Sequence, residues 1–375
     1  MIRLGDVATY INGYAFKPED RGEEGLPIIR IQDLTGNAHD LGFYNGEYPK
    51  KVEINDGDIL ISWSASLGVY IWSEGKALLN QHIFKVVFDK VAIDKNYFVY
   101  AVRRKLVEMG MKTHGATMKH IVKKDFDATL IPYPTLDKQA EIAVNLNKVS
   151  SIIEAREQEL QLLDNLIKAR FVEMFGDPVM NEKGWITKSL LDMGRCKNGM
   201  NFHYDDEGVE INCLGVGDFK ELSIIDNTDE LPTVSLKEMP SEEYLLKDDD
   251  IVFVRSNGNK ALVGRSIAVY PGNVPTTFSG FCIRYRKHDN EIIVPYLLRA
   301  LKADSMRMKM TGRGANIQNL NQQILGTLVI PVPPIELQNQ FADFVKQVDK
   351  SKVKVQKALD ETQKLFDSLM QQYFG

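Results

Sequence analysis

Two stretches of the chain carry apolar residues at alternating steps of four and three. From Ile142 to Met174 this walk meets apolar residues at eight of ten positions, and from Phe341 to Tyr373 it again meets eight of ten. A repeat of 3.5 residues is typical of the seam between packed helices. The pattern predicts helices over 136–174 and 336–373, each roughly 55 Å long at about 1.5 Å per residue.

Proline-rich phrases precede both predicted helices, IPYP at 131–134 and IPVPP at 330–334. Proline keeps the preceding residue extended and lacks an amide hydrogen, so each helix is expected to begin only after its phrase. Gly176, followed by Pro178, is expected to end the first helix. The predicted hinge and helix-start residues are Pro132, Pro134 and Gln139 in the first copy and Pro331, Pro333 and Gln338 in the second.

These similarities belong to a tandem repeat. An offset of 199 positions aligns 115–176 with 314–375 without a gap, a register of 62 residues, and a weaker match at an offset of 186 pairs Asn12-Gly13 with Asn198-Gly199. The chain therefore contains two copies of a variable module followed by a similar helix. The predicted boundaries are 1–133 and 179–332 for the modules and 134–178 and 333–375 for the helices.

The variable modules show the short alternating runs typical of strands, followed by amphipathic segments typical of helices. Strands are predicted at 58–63, 69–72, 82–88, 250–254, 266–270 and 281–286, and helices at 96–110 and 294–310. The predicted fold class is α+β, with mixed α and β modules. Two globular modules are separated by two long antiparallel coiled-coil helices, related by a pseudo-twofold axis. The alternative, in which each helix packs only on its own module, stays open.

Charge is distributed unevenly along this chain of net charge -5. Residues 203–250 hold 15 acidic and three basic residues, whereas 255–313 hold 11 basic and three acidic ones, and 101–124 hold seven basic and one acidic. Local charge matters more to a polyanion than the total, so a basic face for nucleic acid is predicted. The alternative is that these clusters are solvated helix faces.

Polar loops between the strands supply side chains suited to base edges and phosphates. Arginine and lysine recognise guanine and phosphate, whereas asparagine and glutamine pair with adenine. The candidate DNA-binding residues of the first module are Ser62, Ser64, Gln81, His82, Lys112, His114, Thr117 and Lys119. Those of the second module are Arg255, Asn257, Asn259, Lys260, Arg265, Ser279, Arg313, Asn316, Gln318 and Asn319.

Several function classes lose support from the sequence. The three cysteines are widely spaced and form no CxxC pair, no apolar run reaches the length of about 18 residues that a membrane helix needs, and the first residues lack a signal-peptide core. A soluble, cytoplasmic protein is predicted, without metal or membrane. We find no NPPY-like tetrapeptide, no GxxxxGK[ST] loop, no HExxH and no GxSxG, so no catalytic residues are predicted.

The whole chain resembles the specificity subunit of type I restriction-modification systems, called HsdS. The resemblance depends on the duplicated set of IPxP, glutamine at the helix start, heptad helix and terminal Phe-Gly. It implies that each module is a target-recognition domain reading one half of a split DNA target, that the helices set the half-site spacing, and that the chain is not an enzyme. It also implies partners: double-stranded DNA, two methyltransferase subunits, and a restriction and motor subunit. S-adenosylmethionine, ATP and Mg²⁺ would belong to those partners, so no cofactor is expected here.

Two other classes of protein remain alternatives. A coiled-coil scaffold that binds only proteins would need the helices but not the basic loops. A self-contained nuclease or methyltransferase would need the motifs that the sequence lacks.

Overall fold

The computed structural model describes residues 1–37, 40–112, 121–202, 208–219, 223–288, 290–311 and 319–375, without the side chains of Lys112 and Lys260. Its contacts divide the chain into two compact units. The first unit comprises Met1–Glu157 and Gln356–Gly375, and the second comprises Gln158–Val355. Each unit therefore holds one variable module with half of each long helix.

Among its described residues the first unit has ten short strands and four module helices, and the first long helix starts in it. The strands are β1 Ile2–Arg3, β2 Thr9–Asn12, β3 Leu26–Ile29, β4 Gly42–Tyr44, β5 Glu53–Ile54, β6 Ile59–Ser62, β7 Gly68–Ile71, β8 Ala77–Leu79, β9 Ile83–Val87 and β10 Leu130–Ile131. The helices are α1 Leu4–Val7, α2 Ile31–Leu34, α3 Lys95–Lys112, α4 Lys123–Ala128 and the long α5 Leu136–Phe175.

The second unit has a similar order, in which a run of strands precedes the module helices and the long helix. Its strands are β11 Thr187–Ser189, β12 Gly194–Asn198, β13 Val209–Leu214, β14 Ile224–Ile225, β15 Thr233–Leu236, β16 Asp250–Val254, β17 Ser266–Val269, β18 Thr276–Phe278, β19 Cys282–Lys287 and β20 Val329–Pro331. Its helices are α6 Val294–Lys302, α7 Asp304–Thr311, α8 Gln322–Gly326 and the long α9 Ile335–Phe374, which continues into the first unit.

The two modules share a common sheet core, to which the second adds β14 beside β17 and the first adds β5 beside β8. The first has sheets in the order β2-β9-β6-β7 and β4-β3-β8-β5, and the second has β12-β19-β16-β17-β14 and β15-β13-β18. In both, the second of these sheets is mixed and contains a parallel pair, β3 with β8 and β13 with β18. The antiparallel pairs β1-β10 and β11-β20 bring the start of each module to the strand before its long helix. The modules are thus copies in fold, although their sequences differ.

The long helices pack against each other in opposite directions within each unit. In the first unit, Ile142 and Leu146 near the start of α5 share a core with Met370 and Phe374 at the end of α9. In the second unit, the C-terminal part of α5, including Phe171 and Phe175, joins the N-terminal part of α9. Phe171 and Phe341 meet edge-on, with ring centroids 5.5 Å apart. The antiparallel pairing predicted from the heptads is confirmed, and each helix half packs on a module as well.

Polar residues interrupt the heptad seam in both units. Arg156 is bonded through Nη1 to the carbonyl oxygen of Ala358 and to Oγ1 of Thr362, so two polar seam positions of the first unit meet each other. In the second unit, Lys352 Nζ lies 2.7 Å from Asp164 Oδ1. A half-buried polar side chain is tolerated in an apolar seam because a hydrogen-bond or ion-pair partner offsets the cost of its burial.

Helix boundaries agree with the sequence prediction to within one residue for both long helices. Gly176 takes a φ of 77° and its amide bonds the Val172 carbonyl, which is the left-handed helix end that glycine favours. The single helix predicted over 294–310 is wrong, because the chain forms α6 and α7 there. Ala303 between them is extended, and its amide bonds back to Ala300.

Candidate nucleic-acid interfaces

Three loops of the first unit meet at one end of the sheet β2-β9-β6-β7. The Gln81 amide donates to the Tyr14 carbonyl at 2.9 Å, and the Trp63 amide donates to the His82 carbonyl at 3.2 Å. The Ile121 amide then donates to the Trp63 carbonyl at 2.9 Å. We call residues 12–14, 62–66 and 80–82, with Ile121, loop cluster 1.

The second unit has the same arrangement. The Gly280 amide donates to Met200, the Arg255 amide to Phe281 and the Leu320 amide to Arg255, at 2.6, 2.7 and 2.8 Å. We call residues 198–201, 254–259 and 278–281, with 319–320, loop cluster 2. Every one of these bonds has its counterpart in loop cluster 1, so one backbone frame presents two different sets of side chains.

A glycine at the same place is essential to both frames. A Cβ atom on Gly13 would lie 2.0 Å from the Asn80 oxygen, and one on Gly199 would lie 2.1 Å from the Ser279 oxygen. No other residue allows the backbones to approach this closely. This contact explains the weak Asn-Gly match at an offset of 186.

Loop cluster 1 combines aromatic rings with exposed polar groups. Trp63 stacks on Phe84 at an interplanar angle of 25°, meets His82 edge-on, and donates from Nε1 to Asn12 Oδ1 at 3.2 Å. Gln81 and His82 are exposed, and His82 adopts a φ of 75°. An exposed amide and an imidazole on a rigid aromatic support are suited to hydrogen bonding with base edges.

Loop cluster 2 offers different chemistry at the equivalent places. Arg255, at the position of Trp63, donates from Nη1 to the Gly280 carbonyl at 3.2 Å. Phe281, at the position of His82, is 62% exposed. Asn319 is also exposed and forms a bridge with Ser256. Sequence reasoning missed Phe281, although its offset of 199 from His82 could have indicated it.

The structure distributes the predicted DNA-binding residues over different environments. Gln81, His82, Asn259 and Asn319 are exposed, and Arg255, Asn257 and Arg265 are half-buried. Ser62, Ser64 and Ser279 are buried, and Ser62 Oγ donates to the Ser66 carbonyl at 2.5 Å, so this hydroxyl is used within its own loop. Outside the described residues lie His114, Thr117, Lys119, Arg313, Asn316 and Gln318, together with the side chains of Lys112 and Lys260.

The hinge glutamines have matching roles in the two units. Gln139 and Gln338 are fully buried. Gln139 accepts from the Asp94 amide at 3.0 Å and donates to the Pro134 carbonyl at 2.8 Å. Gln338 accepts from the Ile293 amide at 2.9 Å and donates at 2.8 Å to the carbonyls of Pro333 and Glu291. Each glutamine thus ties the start of its long helix to the segment before a module helix.

Tyrosines complete both hinges. The Tyr97 and Tyr296 hydroxyls donate to the Pro132 and Pro331 carbonyls, each at 2.9 Å. Burial raises the pKa of Tyr97 to about 12, and it raises the pKa of Tyr296 further. Both hydroxyls therefore remain donors at neutral pH.

Several charges counted in the sequence are used within the protein. Arg286 forms two bonds of 2.7 Å to buried Asp250, and Lys85 lies 2.8 Å from the equivalent Asp58. Both aspartates also accept an amide three residues earlier, which is a turn before a strand and no catalytic arrangement. The basic cluster counted over 101–124 is partly engaged as well, since Lys105 Nζ donates to the Phe374 carbonyl.

The described part of the chain contains no cluster of three or more His, Cys, Asp or Glu that could hold a metal ion. Cys196, Cys213 and Cys282 are free thiols, and burial raises the pKa of Cys196 and Cys213 to about 12. Within the described residues, no helix combines the length and apolar character needed to cross a membrane.

The fold and these paired clusters define a two-module protein that carries the same loop frame twice with different exposed side chains. The family described as "Type I restriction modification DNA specificity domain" matches residues 1–165 and again residues 182–362. The chain belongs to this family of restriction-modification specificity proteins, as the sequence resemblance predicted.

Individual relatives agree with the family match over the full length. The chain is 25% identical over 412 residues to the type I restriction enzyme EcoBI specificity subunit of Escherichia coli, covering 100% of this chain and 85% of that one. It is 26% identical over 415 residues to the StySPI specificity subunit of Salmonella potsdam, covering 99% and 87%. The crystal structure of the S subunit from M. genitalium shares the fold, with a TM-score of 0.54, 17% identity and coverage of 100% and 95%.

Proposed function

We propose that this chain is the DNA sequence-specificity subunit of a type I restriction-modification complex, in which each module reads one half of a bipartite target. The observation that carries the proposal is the duplicated loop frame. Its hydrogen bonds are equivalent in both units, but Trp63, Gln81 and His82 stand where the second unit has Arg255, Gly280 and Phe281. One scaffold with two sets of exposed side chains is suited to reading two different sequences.

The chemistry of each cluster supports a different preference. An exposed glutamine can pair with adenine through two hydrogen bonds, and an exposed aromatic ring can contact a thymine methyl or stack on a base. Loop cluster 1 offers Gln81, whereas loop cluster 2 offers Phe281 and Asn319. We therefore propose that the two half-sites differ in sequence.

The partners follow from the role of a specificity subunit. We propose that α5 and α9 dock methyltransferase subunits, two in number, and that a restriction and motor subunit joins this core. S-adenosylmethionine, ATP and Mg²⁺ would then be bound by those partners, and the present chain would contribute recognition without catalysis. Mass measurement of the purified complex tests the number of methyltransferase subunits.

The test is to purify the chain with its methyltransferase partner, methylate genomic DNA and sequence the modified sites. The expected result is a split motif with two dissimilar halves and a spacer of fixed length. Gln81→Ala should alter the first half alone, and Asn319→Ala the second alone. A complex that shows no sequence preference in methylation and no shift of duplex DNA would instead favour a protein-binding scaffold.

A further inference from the structure

The second unit contains an open cavity of about 450 Å³, separate from loop cluster 2. It lies among the 3-10 turn before β17, the helices α6 and α7, and the C-terminal half of α5. The residues around it are Lys168, Phe219, Ala261, Arg265, Ser266, Ile267, Arg299, Lys302, Asp304 and Arg307. Five of these ten side chains are cationic and one is acidic.

The cations are not a requirement of the fold. At an offset of 199, the first unit has Tyr100 in place of Arg299, Glu108 in place of Arg307, and Asp367 in place of Lys168. Arg103 alone preserves the charge, at the position of Lys302. Because the equivalent helix of the first unit, α3, packs without the counterparts of these charges, the positive cavity is a specific property of the second.

Two polar groups of the cavity lack a hydrogen-bond partner. Arg299 Nη2 and Ser266 Oγ are both buried atoms without one, and Ser266 is only 3% exposed. A buried donor without an acceptor is costly, so these atoms indicate that an acceptor belongs here.

Other groups of the cavity are already oriented. Arg307 Nη2 donates to the carbonyls of Ala261 and Val263 at 3.1 and 3.2 Å, which fixes its guanidinium. Lys302 Nζ donates to Ser223 Oγ at 2.8 Å. Burial lowers the pKa values of Arg299 and Arg307, so a bound anion would offset the cost of holding these charges together.

We propose that this cavity binds a phosphate group. A phosphate carries several acceptor oxygens and more than one negative charge when free, and its geometry matches the planar donor fork of arginine. Arg299 and Ser266 would supply the donors that now lack acceptors, and Lys168 would close the open side. The phosphate can come from the backbone of duplex DNA or from a free phosphate compound. The assignment to DNA rests on the proposed function, whereas binding of a free phosphate compound does not.

The direct test is calorimetric titration of the full chain with sodium pyrophosphate, in chloride buffer of matched ionic strength. One binding site is expected. Lys168→Gln changes an exposed helix residue and should leave the fold intact, and both it and Arg299→Met should weaken binding at least tenfold. Arg103→Met is the matched control in the first unit and should bind as the unaltered chain does.

The proposal would be overturned if the heats of the pyrophosphate titration do not exceed those of chloride. It would also be overturned if Arg103→Met loses as much pyrophosphate affinity as the variants of the second unit. The proposal would also be overturned if Lys168→Gln binds pyrophosphate with unchanged affinity and Arg299→Met, shown to be folded, does so too.

The source of the phosphate is decided by a second titration, in which the methyltransferase complex binds duplex DNA over a range of salt. If Lys168→Gln lowers the slope of log affinity against log salt by about one, the phosphate belongs to DNA. If Lys168→Gln leaves the slope unchanged but weakens pyrophosphate binding, the ligand of the cavity is a free phosphate compound. Should the complex fail to bind DNA at all, the pyrophosphate titration still decides on the cavity.

Discussion

Gln338 shows how a single side chain can couple a helix to a module. It is fully buried and forms hydrogen bonds with Ile293, Glu291 and Pro333. We expect Gln338→Ala to lower the free energy of unfolding by about 2–3 kcal/mol, because buried backbone groups lose their partners. Denaturant unfolding measures this change. Exposed Gln340→Ala, two residues away, is the control and should change stability by less than about 0.5 kcal/mol; equal effects of the two variants would contradict the role assigned to Gln338.

Lys302 gives a pH dependence with a defined sign. Burial, followed by the charge of Arg299, lowers its pKa to about 8 in the folded chain, against an ordinary value of 10.5. Arg265 and Lys352 also oppose its charge, whereas Asp164 favours it. Between these two pKa values the unfolded chain binds more protons than the folded one, so the contribution of this residue to stability rises with pH.

We therefore expect the stability of the unaltered chain to rise relative to that of Lys302→Met between pH 8 and pH 10. Denaturant unfolding of both proteins in phosphate-free buffer measures the difference. A difference that stays constant, or that falls with pH, would show that Lys302 titrates normally.

The residue scale is also where sequence reasoning was weakest. Ser62, Ser64 and Ser279 were selected as polar loop residues, but all three are buried. Ser62 uses its hydroxyl on the Ser66 carbonyl, and Ser279 Oγ accepts from the Phe281 amide at 3.3 Å. A serine at the end of a strand bonds either to its own loop or to a ligand, and the sequence pattern is the same for both.

At the scale of elements, the heptad repeat was a strong signal because it extends over 142–174 and 341–373, most of the length of each helix. It predicted α5 and α9 and their antiparallel contact within each unit. It did not predict that Arg156 would meet Thr362 across the seam. Two polar positions in one helical repeat give no indication of which residue of the other helix lies opposite.

The long helices pass from one unit to the other at Glu157–Gln158 and Val355–Gln356. If they set the half-site spacing, matched insertions of four residues at both points should lengthen the unspecified spacer and leave both half-sites unchanged. Four residues add about 6 Å of helix, or roughly two base pairs. Sequencing of methylated sites measures the spacer. An altered half-site with an unchanged spacer would contradict this role of the helices.

At the scale of the whole molecule, duplication predicts that the two modules act independently. Gly13→Ala places a Cβ within 2.0 Å of the Asn80 oxygen and should disturb loop cluster 1. We expect this variant to lose discrimination at one half-site by at least tenfold and to retain it at the other. Gly199→Ala is the matched variant and should do the reverse. Methylation of a panel of single-base target variants measures both, and equal losses at both half-sites would argue against independent readers.

The sequence by itself determined the tandem repeat, the long helices and their hinges, because these depend on periodicity, proline stereochemistry and a register of 62 aligned positions. These features are local or repeated, and they can be recognised without knowing which residues become neighbours. Only the tertiary structure decided which polar side chains face solvent, and it alone brought Lys168, Ser266 and Arg299 around one cavity. Burial and convergence depend on contacts between segments far apart in the chain, and hydrophobic periodicity carries no information about them.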